Sequence, residues 1–201
     1  MLSTRRFVAA AIAGAALLFA GAAQAQTAAD PNAAAAGAYT IDRNHTAVLA
    51  RVPHAGFSYE VFRFGAVQGA LTWNPANTAA NGLNVTVATN SIQTPVEGFA
   101  EELQGERFLN SAGHPNATFV STAFRQIDAT HAEVDGTFTL KGVTKPVTFR
   151  VELIGAGQNQ RGTPTLGFRA TALINNADYN FPGFIRGQSE IVVEGEFNRQ
   201  Q

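Results

Sequence analysis

No cysteine occurs in the chain, so disulfides, thiolate metal sites, a cysteine nucleophile and anchoring through a lipidated cysteine are excluded together. Tryptophan and tyrosine are almost as scarce, with one Trp and three Tyr against fifteen Phe. An outer-membrane barrel displays girdles of those two residues at both membrane interfaces, and so few rings cannot supply them. Charged residues make up only 14% of the chain, and the formal net charge is −1. With Arg5 and Arg6 set aside as part of a removable N-terminal segment, 12 of the 14 basic residues remain to face 15 acidic ones. That balance leaves no basic surplus for nucleic acid. The Gly-x-Ser-x-Gly elbow, the phosphate loop and the dinucleotide fingerprint are all missing. The four histidines, His45, His54, His114 and His131, fall at no metal-ligand spacing on one strand or helix, so neither a metal site nor a cofactor is expected.

The one long apolar run is N-terminal. Arg5 and Arg6 form a positive start, Phe7 to Gly21 an Ala/Leu-rich stretch, and Ala23-Gln24-Ala25 a small-x-small cleavage site. Residues 1–25 therefore read as a secretory signal, with the mature protein beginning at Gln26. The run is short of the roughly 20 residues a spanning helix needs, so no integral membrane segment is expected after processing. The expected location is the periplasm, or the medium if the protein is released. Arg5-Arg6 hints at twin-arginine export, but Phe7 and Val8 follow one place too close for the usual spacing, and the export route stays open.

Residues 26–38 are Ala-rich, contain Asp30, Pro31 and Gly37, and show no apolar period, which predicts a flexible leader. From Tyr39 onward, apolar and polar residues alternate in runs separated by Gly, Asn, Asp and Pro, the pattern of half-buried antiparallel strands. In His131 to Leu140, for example, Ala132, Val134, Gly136, Phe138 and Leu140 share one face and His131, Glu133, Asp135, Thr137 and Thr139 the other. Val147 to Leu153, Leu166 to Ala172 and Ile191 to Phe197 repeat the pattern. Thr46 to Val52, Phe62 to Trp73, Leu83 to Ile92 and Ala117 to Ile127 are the earlier strands, giving about eight. Gly65 and Gly69 suit bulges or close backbone approach.

One segment, Val96 to Leu109, has helical spacing, with Phe99, Leu103 and Phe108 on one face, Glu101, Glu102 and Glu106 in water, and Pro95 in the first turn. The fold class expected is all-β, an eight-stranded antiparallel barrel with one short helix between strands, filling residues 39–201 as one domain. Such a barrel is about the size that holds one small ligand, and the helix can cover one end. A packed β-sandwich is the alternative.

Setting aside Phe7 and Phe19 of the N-terminal segment leaves thirteen of the fifteen Phe, rings that need no polar partner. Phe138, Phe149, Phe168 and Phe197 fall on inward faces. Phe62, Phe64, Phe99, Phe108 and Phe119 sit in elements able to close around the same space. Filling a core and lining a pocket are both open on this reading. His54, Arg63 and Arg107 are the polar candidates for orienting a ligand's head near a barrel mouth. Asp42 and His45, or the Glu102 and Glu106 helix face, are the only groups an enzyme acting on lipid could use, and Asp42-x-x-His45 is equally explained by local backbone hydrogen bonding.

The segment Thr137-Phe138-Thr139-Leu140-Lys141-Gly142-Val143-Thr144-Lys145-Pro146-Val147 resembles the hairpin signature of the YceI-like family of bacterial periplasmic, polyisoprenoid-binding proteins. Tyr39-Thr40-Ile41-Asp42-Arg43-Asn44-His45-Thr46-Ala47-Val48 is similar to that family's first strand and turn. Ser91-Ile92-Gln93-Thr94 and His114-Pro115-Asn116-Ala117-Thr118-Phe119 extend the likeness. The chain departs from the pattern at Glu102-Leu103, where a His-Leu pair is common, at Arg107, where an acidic residue is usual, and at Asn176-Ala177-Asp178-Tyr179-Asn180, which replaces an Arg followed shortly by Asp-Phe-Gly. The resemblance implies a lipocalin-like barrel with a long apolar pocket. It implies a binding or carrier role for an apolar lipid (polyisoprenoid, isoprenoid quinone or fatty-acid-like), and it turns the Phe set toward lining that pocket. A hydrophobic small molecule is thus the expected partner, with a homodimer left open.

Overall fold

Alternation of apolar and polar residues lets each strand bury one face, and here the buried faces close on one another. The computed structural model describes residues 26–200; the expected signal segment, residues 1–25, lies outside the described residues. The strands are β1 (Gln26–Ala28), β2 (Gly37–Ile41), β3 (Ala47–His54), β4 (Ser58–Phe64), β5 (Val67–Trp73), β6 (Gly82–Ala88), β7 (Ile92–Gln93), β8 (Asn116–Gln126), β9 (His131–Leu140), β10 (Val143–Gln158), β11 (Pro164–Asn175) and β12 (Gln188–Arg199), with one helix, α1 (Phe99–Gln104), between β7 and β8. Antiparallel pairing runs β10-β9-β8-β6-β5-β2-β12, and β11 joins β12 back to β10. The ring is a closed antiparallel barrel of eight strands, the expected fold class, and the sandwich alternative falls away.

The expected strands Phe62 to Trp73 and Leu83 to Ile92 are each interrupted, and the expected Thr46 to Val52 is preceded across a similar break by β2. β2 and β3 lie in succession along the same edge of β12. β5 and β4 pair with them in turn, and β6 and β7 follow on those. Each pair is one strand with a break, at residues 42–46, 65–66 and 89–91. At the first break, Thr46 Oγ1 donates to the Asp42 carbonyl at 2.7 Å and accepts from the Glu196 N–H at 3.4 Å, so a side chain stands in for the ladder. The other two breaks are stitched together through Ser91. Its carbonyl accepts from the Gly65 N–H and its Oγ from the Ala66 N–H. A Cβ at Gly65 would lie 2.8 Å from the tip of the Gln93 side chain, which would have to move aside.

The later strands run on without a break, with bulges shifting the register between Ser121 and Ala123 of β8 and between Leu153 and Gly155 of β10. Between β9 and β10, Lys141 and Gly142 both take positive φ, 51° and 76°, the two-residue turn whose twist matches paired strands. The ladder on either side keeps one register from Leu140↔Val143 to His131↔Glu152.

Two expectations need correction. Residues 26–38 are not a free leader: β1 pairs with Ala156–Gln158 of β10, Pro31–Ala33 forms a 3-10 turn capped by Asp30, and Ala34 is buried. No apolar period marked them because they dock with scattered residues rather than a regular face. The helix is also shorter than 96–109. It begins after Gly98, which sits in the left-handed region at φ 74°, and ends at Gln104, whose successor Gly105 returns to extended backbone. Pro95 therefore precedes the helix rather than opening it. Among the described residues, no helix is long and apolar enough to cross a membrane.

Candidate ligand-binding cavity

Inward faces of all eight barrel strands surround an elongated cavity of about 280 Å³, close to the lower end of typical small-molecule sites, roughly 300–1,000 Å³. One end is rimmed by Trp73, Asn81 and the β8–β9 turn from Asp128 to His131. The other is closed by Leu103 of α1, by Phe108 and Leu109 just beyond it, and by Phe181 and Ile185 of the β11–β12 connection. The expectation that the helix covers one end therefore holds through Leu103.

Eight of the nine candidate phenylalanines line this space. Phe62, Phe64 and Phe108 lie toward the closed end. Phe119, Phe138 and Phe149 stand on β8, β9 and β10, and Phe168 and Phe197 on β11 and β12. The rings meet in pairs: Phe119 and Phe149 edge to face with centroids 4.8 Å apart, Phe168 and Phe197 stacked at 5.3 Å. Phe99 is the exception. It packs edge-on against Phe62 at 6.0 Å, behind the wall.

The three polar candidates lie elsewhere. Arg63 points outward because it alternates with the inward Phe62 and Phe64. His54 is exposed at the end of β3. Arg107 lays its guanidinium over the exposed Phe184 ring at 4.9 Å, where a planar cation on an aromatic face is favoured. None of the three is part of the lining.

Phe124 also lines the cavity, and strict alternation from Phe119 hides it. The β8–β9 register shifts between Ser121 and Ala123, so Thr122 is an extra residue and parity reverses beyond it. Gly136 sits opposite Ser121, and a Cβ there would meet the Val120 carbonyl at 2.4 Å and the Phe119 ring at 2.5 Å. Only the register could have exposed this.

Polar groups occur at the two ends and none is a lysine or arginine among the described lining residues. At the rim, the Asp128 carboxylate accepts the Thr130 and His131 N–H groups and contacts the His131 ring at 2.9 Å. The Thr130 backbone bond, then the His131 side chain, hold its pKa down to about 2. The Trp73 indole N–H, also at this end, is buried without a partner. At the closed end lie Asn176 and Ser189, whose Oγ donates to Asn176 Oδ1 at 2.7 Å. Spacing pointed to neither end: Asp128, Thr130 and His131 meet within the β8–β9 turn, and Asn176 meets Ser189 across the β11–β12 connection.

The groups an enzyme could use stand apart from the cavity. Asp42 accepts from the Asn44 N–H at 2.9 Å and contacts the His45 ring at 2.9 Å, the local bonding its spacing suggested. Glu196 brings a third ligand atom within 4.8 Å of these two, a convergence the spacing of histidines alone could not reveal. His45 lowers the Asp42 pKa and Asp42 raises that of His45. The His45 side chain is 64% exposed, and neither residue lines the cavity. Glu102 and Glu106 are exposed to water.

Residues 39–197 match the family model described as YceI-like domain. Protein YceI of Escherichia coli O157:H7 is 38% identical over 149 residues, covering 73% of this chain and 78% of that protein. Burkholderia cenocepacia BcnA superposes with a TM-score of 0.68 at 20% identity, covering 78% of this chain and 98% of that one. A polyisoprenoid binding domain from Saccharophagus degradans, implicated in plant cell wall breakdown, does so with a TM-score of 0.61 at 14% identity, covering 81% and 98%. At these identities the two structures speak for the barrel alone, while the sequence matches reach further: the chain belongs to the YceI-like family.

Proposed function

We propose that the protein is an exported periplasmic carrier that holds one apolar lipid inside the barrel. The observation that carries this reading is the cavity itself, continuous from the Trp73 rim to Leu103 and walled by aromatic and aliphatic side chains. Between its polar ends such a wall offers nothing to a polar solute. Each buried CH₂ of an alkyl or isoprenoid chain contributes roughly 0.8 kcal/mol, so about ten carbons offset several kcal/mol of association cost. Family membership and the polyisoprenoid-binding neighbour support a binding role rather than catalysis. The N-terminal segment, with its two arginines, apolar run and Ala23-Gln24-Ala25, supports export. One copy encloses the whole cavity, so the proposal requires no homodimer.

Organic extraction of protein purified from the periplasm, followed by mass spectrometry, tests the proposal. A stoichiometric apolar lipid is the expected result. Folded, delipidated protein that takes up no lipid of any class overturns it. The mass of the same preparation, expected to begin at Gln26, reads the export step.

A further inference from the structure

The closed end of the cavity holds a polar pair that the barrel does not use. Asn176 is 1% exposed and Ser189 3% exposed, and both line the cavity. The Ser189 hydroxyl occupies the Asn176 carbonyl oxygen, and the Asn176 N–H and C=O of the backbone are engaged with Gly187 and Phe181. The amide Nδ2 has no partner at all. A buried amide donor left unpaired costs of order 1 to 3 kcal/mol, so its retention beside an apolar cavity asks for an acceptor. Tyr179 lies in the same 3-10 turn, is 1% exposed, and its hydroxyl is unpartnered as well.

We infer that the Asn176 amide, held in place by Ser189, receives the polar end of the bound lipid, and that this end is an uncharged acceptor oxygen such as a quinone or amide carbonyl. The inference rests on the carrier reading above and narrows its ligand. Charge decides the class. Among the described residues no lysine or arginine lines the cavity, and its only ionisable lining groups are Asp128 and His131 at the opposite rim. Across the sheet, His131 pairs with Glu152 and Glu152 with Arg169, six residues before Asn175, or roughly 20 Å along the strand. Lys141 stands beside this turn but outside the lining, its Nζ donating to the Asn180 carbonyl at 2.9 Å and lying 4.8 Å from the Phe181 ring. A phosphate or carboxylate at Asn176 would therefore be desolvated with no lining cation to meet it. A neutral carbonyl loses far less and gains the free N–H.

Three probes sharing one apolar body test this on the delipidated protein: a benzoquinone with a decyl chain, decylbenzene, and decyl phosphate. The quinone is expected to bind more tightly than decylbenzene, and the phosphate more weakly than the quinone. Asn176→Leu should weaken quinone binding about five- to tenfold while leaving decylbenzene within about twofold. Ser189→Ala, a milder change, should act in the same direction by freeing the amide to rotate. The carbonyl stretching band of the bound quinone should sit lower in the parent than in Asn176→Leu. Equal losses for quinone and decylbenzene in both variants, or phosphate binding as tight as quinone, would overturn the headgroup site. If decylbenzene binds but the quinone gains nothing over it, the headgroup site fails and the carrier reading stands. If no probe binds the folded parent, the carrier reading fails and takes the headgroup site with it.

Discussion

The two halves of the barrel solve the same packing problem differently. From β8 to β12 the chain makes long strands joined by hairpins and one longer connection, the β9–β10 ladder keeping a single register across ten residue pairs. From β2 to β7 every strand is broken once and its halves are tied by side-chain hydrogen bonds at Thr46 and Ser91. Long ladders carry a sheet by cross-strand packing, whereas broken ones depend on a few polar side chains that replace missing backbone bonds. The later half should therefore fail through its inner face and the earlier half through its stitches.

The largest effect is expected on that inner face. Phe149→Asp places a carboxylate against Phe119, 4.8 Å away in the parent, and Phe168→Asp does the same beside Phe197. Each should cost roughly 3 to 5 kcal/mol of stability and abolish lipid uptake. Thermal melting and a binding titration measured together check this, and unchanged uptake by a folded Asp variant would mean the face does not meet ligand.

Gly136→Ala probes the bulge that redirects β8. The added methyl has no room between the Val120 carbonyl and the Phe119 ring, so a loss of about 1 to 3 kcal/mol is expected by denaturant unfolding. A neutral result would show that the bulge can slide.

Tyr179 gives the later half an alkaline weak point, because burial pushes its phenol up to about 12 from the ordinary 10. Below pH 10 both folded and unfolded chains keep the proton and the contribution is complete. Between pH 10 and 12 only the unfolded chain releases it, so stability falls by about 1.4 kcal/mol per pH unit. Tyr179→Phe should flatten that part of the stability profile, measured by urea titration at several pH values.

A smaller loss tests the earlier half. Thr46→Val keeps the shape of a buried residue but removes the hydroxyl that serves Asp42 and Glu196, and about 1 kcal/mol should be lost. Faster hydrogen exchange confined to β2 and β3 would locate the damage at the break. Smallest of all, Arg150→Ala removes a side chain 82% exposed and 3.9 Å from Glu133. Stability should change by less than about 0.5 kcal/mol and lipid uptake not at all.

The same contrast divides what was legible. Where strands run unbroken, period-two alternation fixes which side chains face inward, and Phe138, Phe149, Phe168 and Phe197 could be placed from their neighbours alone. Where a break or bulge intervenes, parity is lost: Phe124 was hidden by the extra residue Thr122, and two strands looked continuous because Gly65 and Ser91 carry no apolar signal. Arg63 and His54 were drawn toward the ligand by their chemistry, yet alternation and strand length put them in water.

Local rules of chain geometry thus determined the all-β class, the strand count and the apolar inner face, because each depends on residues within a few places of one another. Only the tertiary structure decided the rest: that the wall encloses a cavity, that residues 26–38 dock on the barrel, and that Asn176 meets Ser189 while its amide stays free. The cavity and the docked segment need strands far apart in sequence to close into a ring, and the Asn176–Ser189 contact needs the β11–β12 register; no local period carries either.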